Sequence, residues 1–238
     1  MKAGLFVCDH VKAEYQAEFG DYPDMFARLF PDFEWELYDV YNGHFPENLE
    51  ECDVYMATGS LHSVYEDLDW IKRLKAVVRE IYEQRKYFIG FCFGHQLIGE
   101  ALGGKVRKSP NGWCIGVHEF EIAKQKEWMQ PLENSINVLM MCQDQILELP
   151  ENSTVLAGDE KCPVGIIQVG ETMLGIQGHP EFSKEYDKFL MVNRVDRMGR
   201  ELVDEALLSL EKEVNVDTMR EWFIRFLNKK KYHGRSTP

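Results

Sequence analysis

Short apolar runs alternate with amphipathic stretches along the first hundred residues. Leu5 to Cys8 is wholly apolar and reads as a buried strand. Ala13 to Leu29 places Tyr15, Phe19, Met25, Phe26 and Leu29 near helical spacing, which predicts a helix interrupted at Gly20 and Pro23. Phe33 to Val40 alternates apolar and polar positions and predicts a strand. Asp53 to Ala57 predicts another, ending in Thr58-Gly59-Ser60. Leu68 to Gln84 sets Leu68, Ile71, Leu74, Val77, Val78 and Ile81 on one helical face. Tyr87 to Phe91 is a strand that gives way at once to a helix reaching Ala101. This βαβαβ order predicts an α/β fold, a mostly parallel central sheet flanked by helices. Chemistry in such sheets gathers beyond the carboxyl ends of the strands, where both Gly59-Ser60 and residue 92 fall.

The middle of the chain changes character. Ile115 to Ile122, Ile136 to Cys142, Thr154 to Ala157, Val164 to Val169 and Met173 to Ile176 are short strands broken by turns. They predict added, partly antiparallel strands on one edge of the sheet. From Ser183 onward two helical segments are expected, roughly 184–212 and 217–229, separated by the poor helix former Asn215. No flexible linker intervenes. Residues 1–190 therefore read as one domain, and 191–238 as a helical extension packed on it.

Composition narrows the classes. The 238 residues carry a net charge of -13, and the one dense basic run is Lys229-Lys230-Lys231. A nucleic-acid partner is not expected. The six cysteines are widely and irregularly spaced without a C-x-x-C, so neither a disulfide framework nor a zinc site is predicted. The apolar part of Met1 to Val7 is too short for a signal peptide or a membrane span. A reduced, cytoplasmic protein with no membrane partner is the expectation, and no cofactor or metal is called for.

The segment Gly90-Phe91-Cys92-Phe93-Gly94-His95-Gln96 carries the chemistry. A strand that turns directly into a helix strains the residue at the turn, and flanking glycines let neighbouring backbone approach. This is a nucleophile elbow with cysteine in place of serine. The helix N-terminus beside Cys92 favours the thiolate. Taken alone, the motif suits a buried structural cysteine equally well. A cysteine nucleophile needs a base, and the base an orienting group. Gly178-His179-Pro180-Glu181 supplies both at the end of the strand Met173 to Ile176. Pro180 keeps His179 extended, so Glu181 lies on the same side and can fix the imidazole.

G-F-C-F-G-H-Q followed by G-I-Q-G-H-P-E resembles the signature pair of the class I glutamine amidotransferase domain. Ala101 to Val106 and Asp144 to Pro150 are similar to further family segments, so the likeness spans about residues 50–185. It implies a flavodoxin-like architecture, with Cys92 as nucleophile, His179 as acid/base and Glu181 as its orienter. It also implies an oxyanion hole from backbone N–H groups of Phe93 and the Gly59-Ser60 turn, and places Gln96 near the substrate. Two departures stand out. Met141-Cys142-Gln143 replaces a usual histidine, and Ala57-Thr58-Gly59-Ser60 replaces a Pro-Gly-Gly turn. The insert Ser63-Val64-Tyr65-Glu66-Asp67 resembles a stand-alone branch that includes γ-glutamyl peptidases and is similar to GMP-synthase glutaminase domains. Tyr65 and Glu66 are candidate contacts to the substrate's α-amino or peptide group.

The implied reaction is cysteine-dependent hydrolysis of a γ-glutamyl amide, either glutamine or a γ-glutamyl peptide, through a thioester. The alternative is a regulatory module or a glutaminase subunit delivering ammonia to a separate synthase partner.

Overall fold

The computed structural model describes residues 1–229. Lys230, Lys231 and the rest of the expected extension to residue 238 lie outside the described residues. Strand β1 (Lys2–Phe6) leads into α1 (Ala13–Phe19) and α2 (Tyr22–Leu29), two helices where one interrupted helix was predicted. Pro23 starts the second helix and does not break it. Asp21 accepts from the Tyr22 N–H, and Asp24 accepts from the Asp21 N–H at 2.8 Å. Proline costs little in a first turn, where its missing N–H has no helical acceptor.

The chain continues through β2 (Glu34–Tyr38), β3 (Val54–Ala57), α3 (Asp69–Glu83), β4 (Tyr87–Phe91) and α4 (Phe93–Ala101). Next come β5 (Lys105–Lys108), β6 (Cys114–Ile122), β7 (Ser135–Cys142), β8 (Asp144–Glu148), β9 (Ser153–Gly158), β10 (Ile166–Val169) and β11 (Met173–Ile176). One sheet has the order β2-β1-β3-β4-β11-β10-β9-β6-β7. The first five of these run parallel, and β10, β9, β6 and β7 extend the β11 edge as antiparallel neighbours. The added edge strands are thus as the turn-rich middle predicts.

Strands β5 and β8 are not predicted by the sequence pattern. They form a separate antiparallel pair whose inward residues are Val106 and Ile146, packed across α4. Each shows too little apolar alternation to announce a strand, and the pairing partner lies some forty residues away.

The C-terminal part contains α5 (Lys184–Asn193), α6 (Val195–Met198), α7 (Arg200–Ser209) and α8 (Val216–Leu227). The predicted segment 184–212 is therefore three helices, divided at Arg194 and Gly199. Residue 190 falls inside α5, so no break in secondary structure marks the expected domain edge. These helices share the core with the sheet. Trp222, Phe223 and Phe226 are buried, and Phe223 meets Phe91 at 5.4 Å and Phe30 at 6.1 Å between ring centres. Burial of such side chains contributes about 1.5–3 kcal/mol each. The opposite face of the sheet is covered by α3 and α4 around Phe6, Tyr55, Phe88 and Leu97.

Candidate active site

Two parallel neighbours, β4 and β11, build the centre. Phe91 and Ile176 are register partners, and the Cys92 N–H donates to the Ile176 carbonyl at 2.9 Å. The residues just past both strands, 92 and 177–181, are thereby brought side by side although some 85 positions separate them.

Cys92 sits at φ 49°, ψ -98°, a conformation that non-glycine residues avoid at a cost of about 1–3 kcal/mol. The positions two residues to either side must be glycines. A Cβ on Gly90 would lie 2.2 Å from the Gly94 carbonyl oxygen, and one on Gly94 would lie 2.6 Å from that of Ala57. The turn delivers Cys92 to the N-terminus of α4, where the N–H groups of Phe93 and Gly94 have no intrahelical acceptor. Such donors, with the helix dipole, favour negative charge at this point.

His179 is 3% exposed and Glu181 6%. The His179 Nδ1 lies 2.8 Å from Glu181 Oε1, which assigns the proton to Nδ1 and leaves Nε2 for the thiol side. Burial pushes the imidazole pKa down. The Cys92 thiolate and the Glu181 carboxylate, each by charge and by a hydrogen bond, push it further up, to about 10. His179 therefore holds its proton more tightly than a free imidazole. Phe182 stacks flat on its ring, centres 4.0 Å apart, and the His179 N–H donates to the Leu139 carbonyl. A Cβ on Gly59 would come within 3.0 Å of His179 Cε1, so the Gly59-Ser60 turn closes directly over the imidazole. The structure therefore brings Cys92, His179, Glu181, Gly59, Ser60 and Phe93 to one place.

A cavity of about 260 Å³ opens over Cys92, with Ser60, His62, Glu66 and Gln96 in its wall. The Met141-Cys142-Gln143 departure also lies in that wall. Gln96 Nε2 donates to the Asp144 carbonyl at 2.8 Å and to Gln177 Oε1 at 3.3 Å. Glu66 accepts from the Ser63 N–H and pairs with His62 Nδ1 at 2.9 Å. Tyr65, by contrast, does not line the cavity. Its hydroxyl donates to Asp144 Oδ1 at 3.1 Å, and its ring lies under the Arg107 guanidinium. It braces the loop from behind, in a turn closed by the Glu66 N–H donating to the Ser63 carbonyl at 2.9 Å.

Sequence reasoning missed several residues. Gln177 is fully buried, and its Nε2 reaches Cys92 Sγ at 3.5 Å. It stands two positions before His179, so the same two-residue spacing that points to Glu181 points to it. Asp144 anchors the Ser63 to Glu66 loop, accepting from Ser63 Oγ as well as from Tyr65. Lys108, Trp113, Arg194 and Arg197 complete the cavity wall. No local pattern marks these four. Among the described residues no cluster of three or more His, Cys, Asp or Glu is arranged to hold a metal.

The model of the family "Glutamine amidotransferase class-I" matches residues 39–197. The chain belongs to the class I glutamine amidotransferase family. Its relatives make this amidotransferase a hydrolase. It is 35% identical to gamma-glutamyl peptidase 3 of Arabidopsis thaliana over 87% of each chain. It is 31% identical to a glutamine-hydrolysing GMP synthase subunit from Pyrococcus abyssi, over 56% of this chain and 71% of that one. Among solved structures, a glutamine amidotransferase from Thermotoga maritima superposes with a TM-score of 0.75 at 21% identity, covering 94% of this chain and 97% of that one. That likeness concerns the fold. No helix among the described residues is long and apolar enough to cross a membrane.

Proposed function

We propose that this amidotransferase hydrolyses a γ-glutamyl amide bond through a Cys92 thioester, acting on γ-glutamyl peptides. One observation carries the reading: a cysteine at a strained strand-to-helix elbow lies within hydrogen-bond reach of a buried His179 that is itself paired with Glu181 at 2.8 Å. The thiolate attacks the γ-carbonyl. The oxyanion forms beside the N–H groups of Phe93 and the Gly59-Ser60 turn, each such donor contributing roughly 3–4 kcal/mol to the transition state. His179 protonates the leaving amine from Nε2, then takes a proton from the water that attacks the thioester. Glutamate leaves, so one γ-glutamyl amide and one water give glutamate and a free amine. Glu181 holds the imidazole tautomer throughout. Glu66 and Lys108 offer opposite charges in the cavity wall for the glutamyl α-amino and α-carboxylate groups. Because the nucleophile must remain a thiol, the proposal includes a reducing, cytoplasmic setting.

Coverage favours a peptide over free glutamine. The plant γ-glutamyl peptidase aligns with 87% of this chain, the GMP synthase subunit with 56%. The latter match keeps a glutaminase serving a separate synthase as the second reading. Purified protein offered glutamine and γ-glutamyl dipeptides decides between them. Glutamate release from dipeptides at the higher kcat/KM supports the proposal. Preference for glutamine supports the second reading, and release persisting in Cys92→Ala refutes the mechanism.

A further inference from the structure

The cavity over Cys92 does not end at the nucleophile. Leu61, Arg194 and Arg197 line it, and the same three residues line a second cavity of about 340 Å³. That second cavity lies between the loop after β1 and helix α5. Its wall is rich in rings, with Tyr15, Tyr22, Tyr186 and Phe189, and also carries Asp9, His10 and Lys12. One groove thus runs from the reacting sulfur, past two arginines, into a recess rich in aromatic side chains.

The arginines are the unusual part. Both belong to the C-terminal helices, at the α5–α6 junction and within α6, and not to the sheet that builds the triad. Neither is held in a salt bridge by a carboxylate of the described residues. Arg197 lies over the Trp113 ring at 5.6 Å. Arg194 is half-buried and Arg197 exposed, in a protein whose net charge is -13. Such a chain repels anions in general, so two cations left without carboxylate partners at the mouth of the nucleophile site mark a local reversal of the field. Ammonia as leaving group would have no use for them. A leaving amine that carries its own α-carboxylate would.

We infer that Arg194 and Arg197 form the leaving-group subsite, binding the free α-carboxylate of the residue amide-linked to the γ-glutamyl group. The aromatic recess beyond them takes that residue's side chain. The preferred substrate class is then a γ-glutamyl dipeptide with an apolar second residue and a free carboxyl terminus. This inference rests on the proposed hydrolase chemistry.

The test compares γ-glutamyl-phenylalanine with γ-glutamyl-phenylalanine amide, which differ only in the terminal charge. The wild-type protein should favour the acid in kcat/KM by about tenfold to a hundredfold, the range of a charged hydrogen-bonded pair. In Arg194→Gln/Arg197→Gln, which keeps side-chain length, the acid-to-amide ratio should fall to near one. Equal losses on both substrates would place the arginines on the glutamyl carboxylate and overturn the inference, as would an unchanged ratio. Alkylation of Cys92 gives a readout that needs no turnover. The rate ratio of iodoacetate to iodoacetamide should fall about threefold or more in the double variant, and retained iodoacetamide reactivity shows that the variant is folded. A falling alkylation ratio without any glutamate release would refute the hydrolase chemistry. Release with unchanged ratios would refute the subsite alone.

Discussion

Asp187 offers the sharpest test of the electrostatics around the site. It lies on α5, fully buried, and neither carboxylate oxygen has a hydrogen-bond partner among the described residues. Burial raises its pKa from 3.8 to about 7, against the opposing fields of His179, Arg194 and His118. That interval corresponds to roughly 4 kcal/mol at 1.36 kcal/mol per decade. The sign follows from proton counting. Between about pH 4 and pH 7 the unfolded chain has lost this proton while the folded chain keeps it, so the folded state binds more protons and loses stability as pH rises. Above about pH 7 both forms are ionised and the loss is complete. Asp187→Asn cannot ionise and keeps the shape. Its own amide also lacks partners, so some of the gain is forfeited. We expect the variant to be more stable than the wild type at pH 8 by about 2 kcal/mol. Relative to wild type, its stability should climb by roughly 3–4 kcal/mol between pH 4 and pH 8. Urea unfolding at half-unit pH steps measures this directly. A stability difference that does not vary with pH would refute the buried, neutral carboxyl.

Other expectations follow from the same geometry. Glu181→Gln should lower kcat for glutamate release by about 10²–10⁴, because the imidazole loses its anionic orienter, and an unchanged kcat would deny Glu181 that role. Gly94→Ala should destabilise the fold by at least about 2 kcal/mol in urea midpoint measurements, since its Cβ would press to 2.6 Å from the Ala57 oxygen. Asp144→Ala releases both Ser63 and Tyr65 from the loop over the cavity. It should raise KM severalfold and leave kcat within about threefold, because the loop meets substrate and not the reacting atoms.

Much of this arrangement is legible in the chain itself. The elbow glycines, the His-Pro-Glu spacing and the parallel order of the early strands are local patterns, and local patterns encode local geometry. What is not legible depends on partners remote in sequence. Strands β5 and β8 carry few apolar residues and exist because each pairs with the other over α4. Tyr65 reads as a substrate contact in the sequence, yet its hydroxyl is committed to Asp144, 79 positions away. The arginines of the groove stand in a helical stretch with nothing to distinguish them from solvated surface charge.

Residue order alone sets the elbow around Cys92, because only glycine fits at 90 and 94, and it puts His179 and Glu181 within one short turn. The tertiary structure decided that these two segments meet. That follows from the insertion of β11 beside β4, where Phe91 and Ile176 pair in register. It also sets which side chains line the cavity over Cys92, because α5 and α6 reach the groove by packing on the sheet through a shared apolar core. Packing of that kind is non-directional along the chain, so residue order alone does not reveal where it sets a charge down.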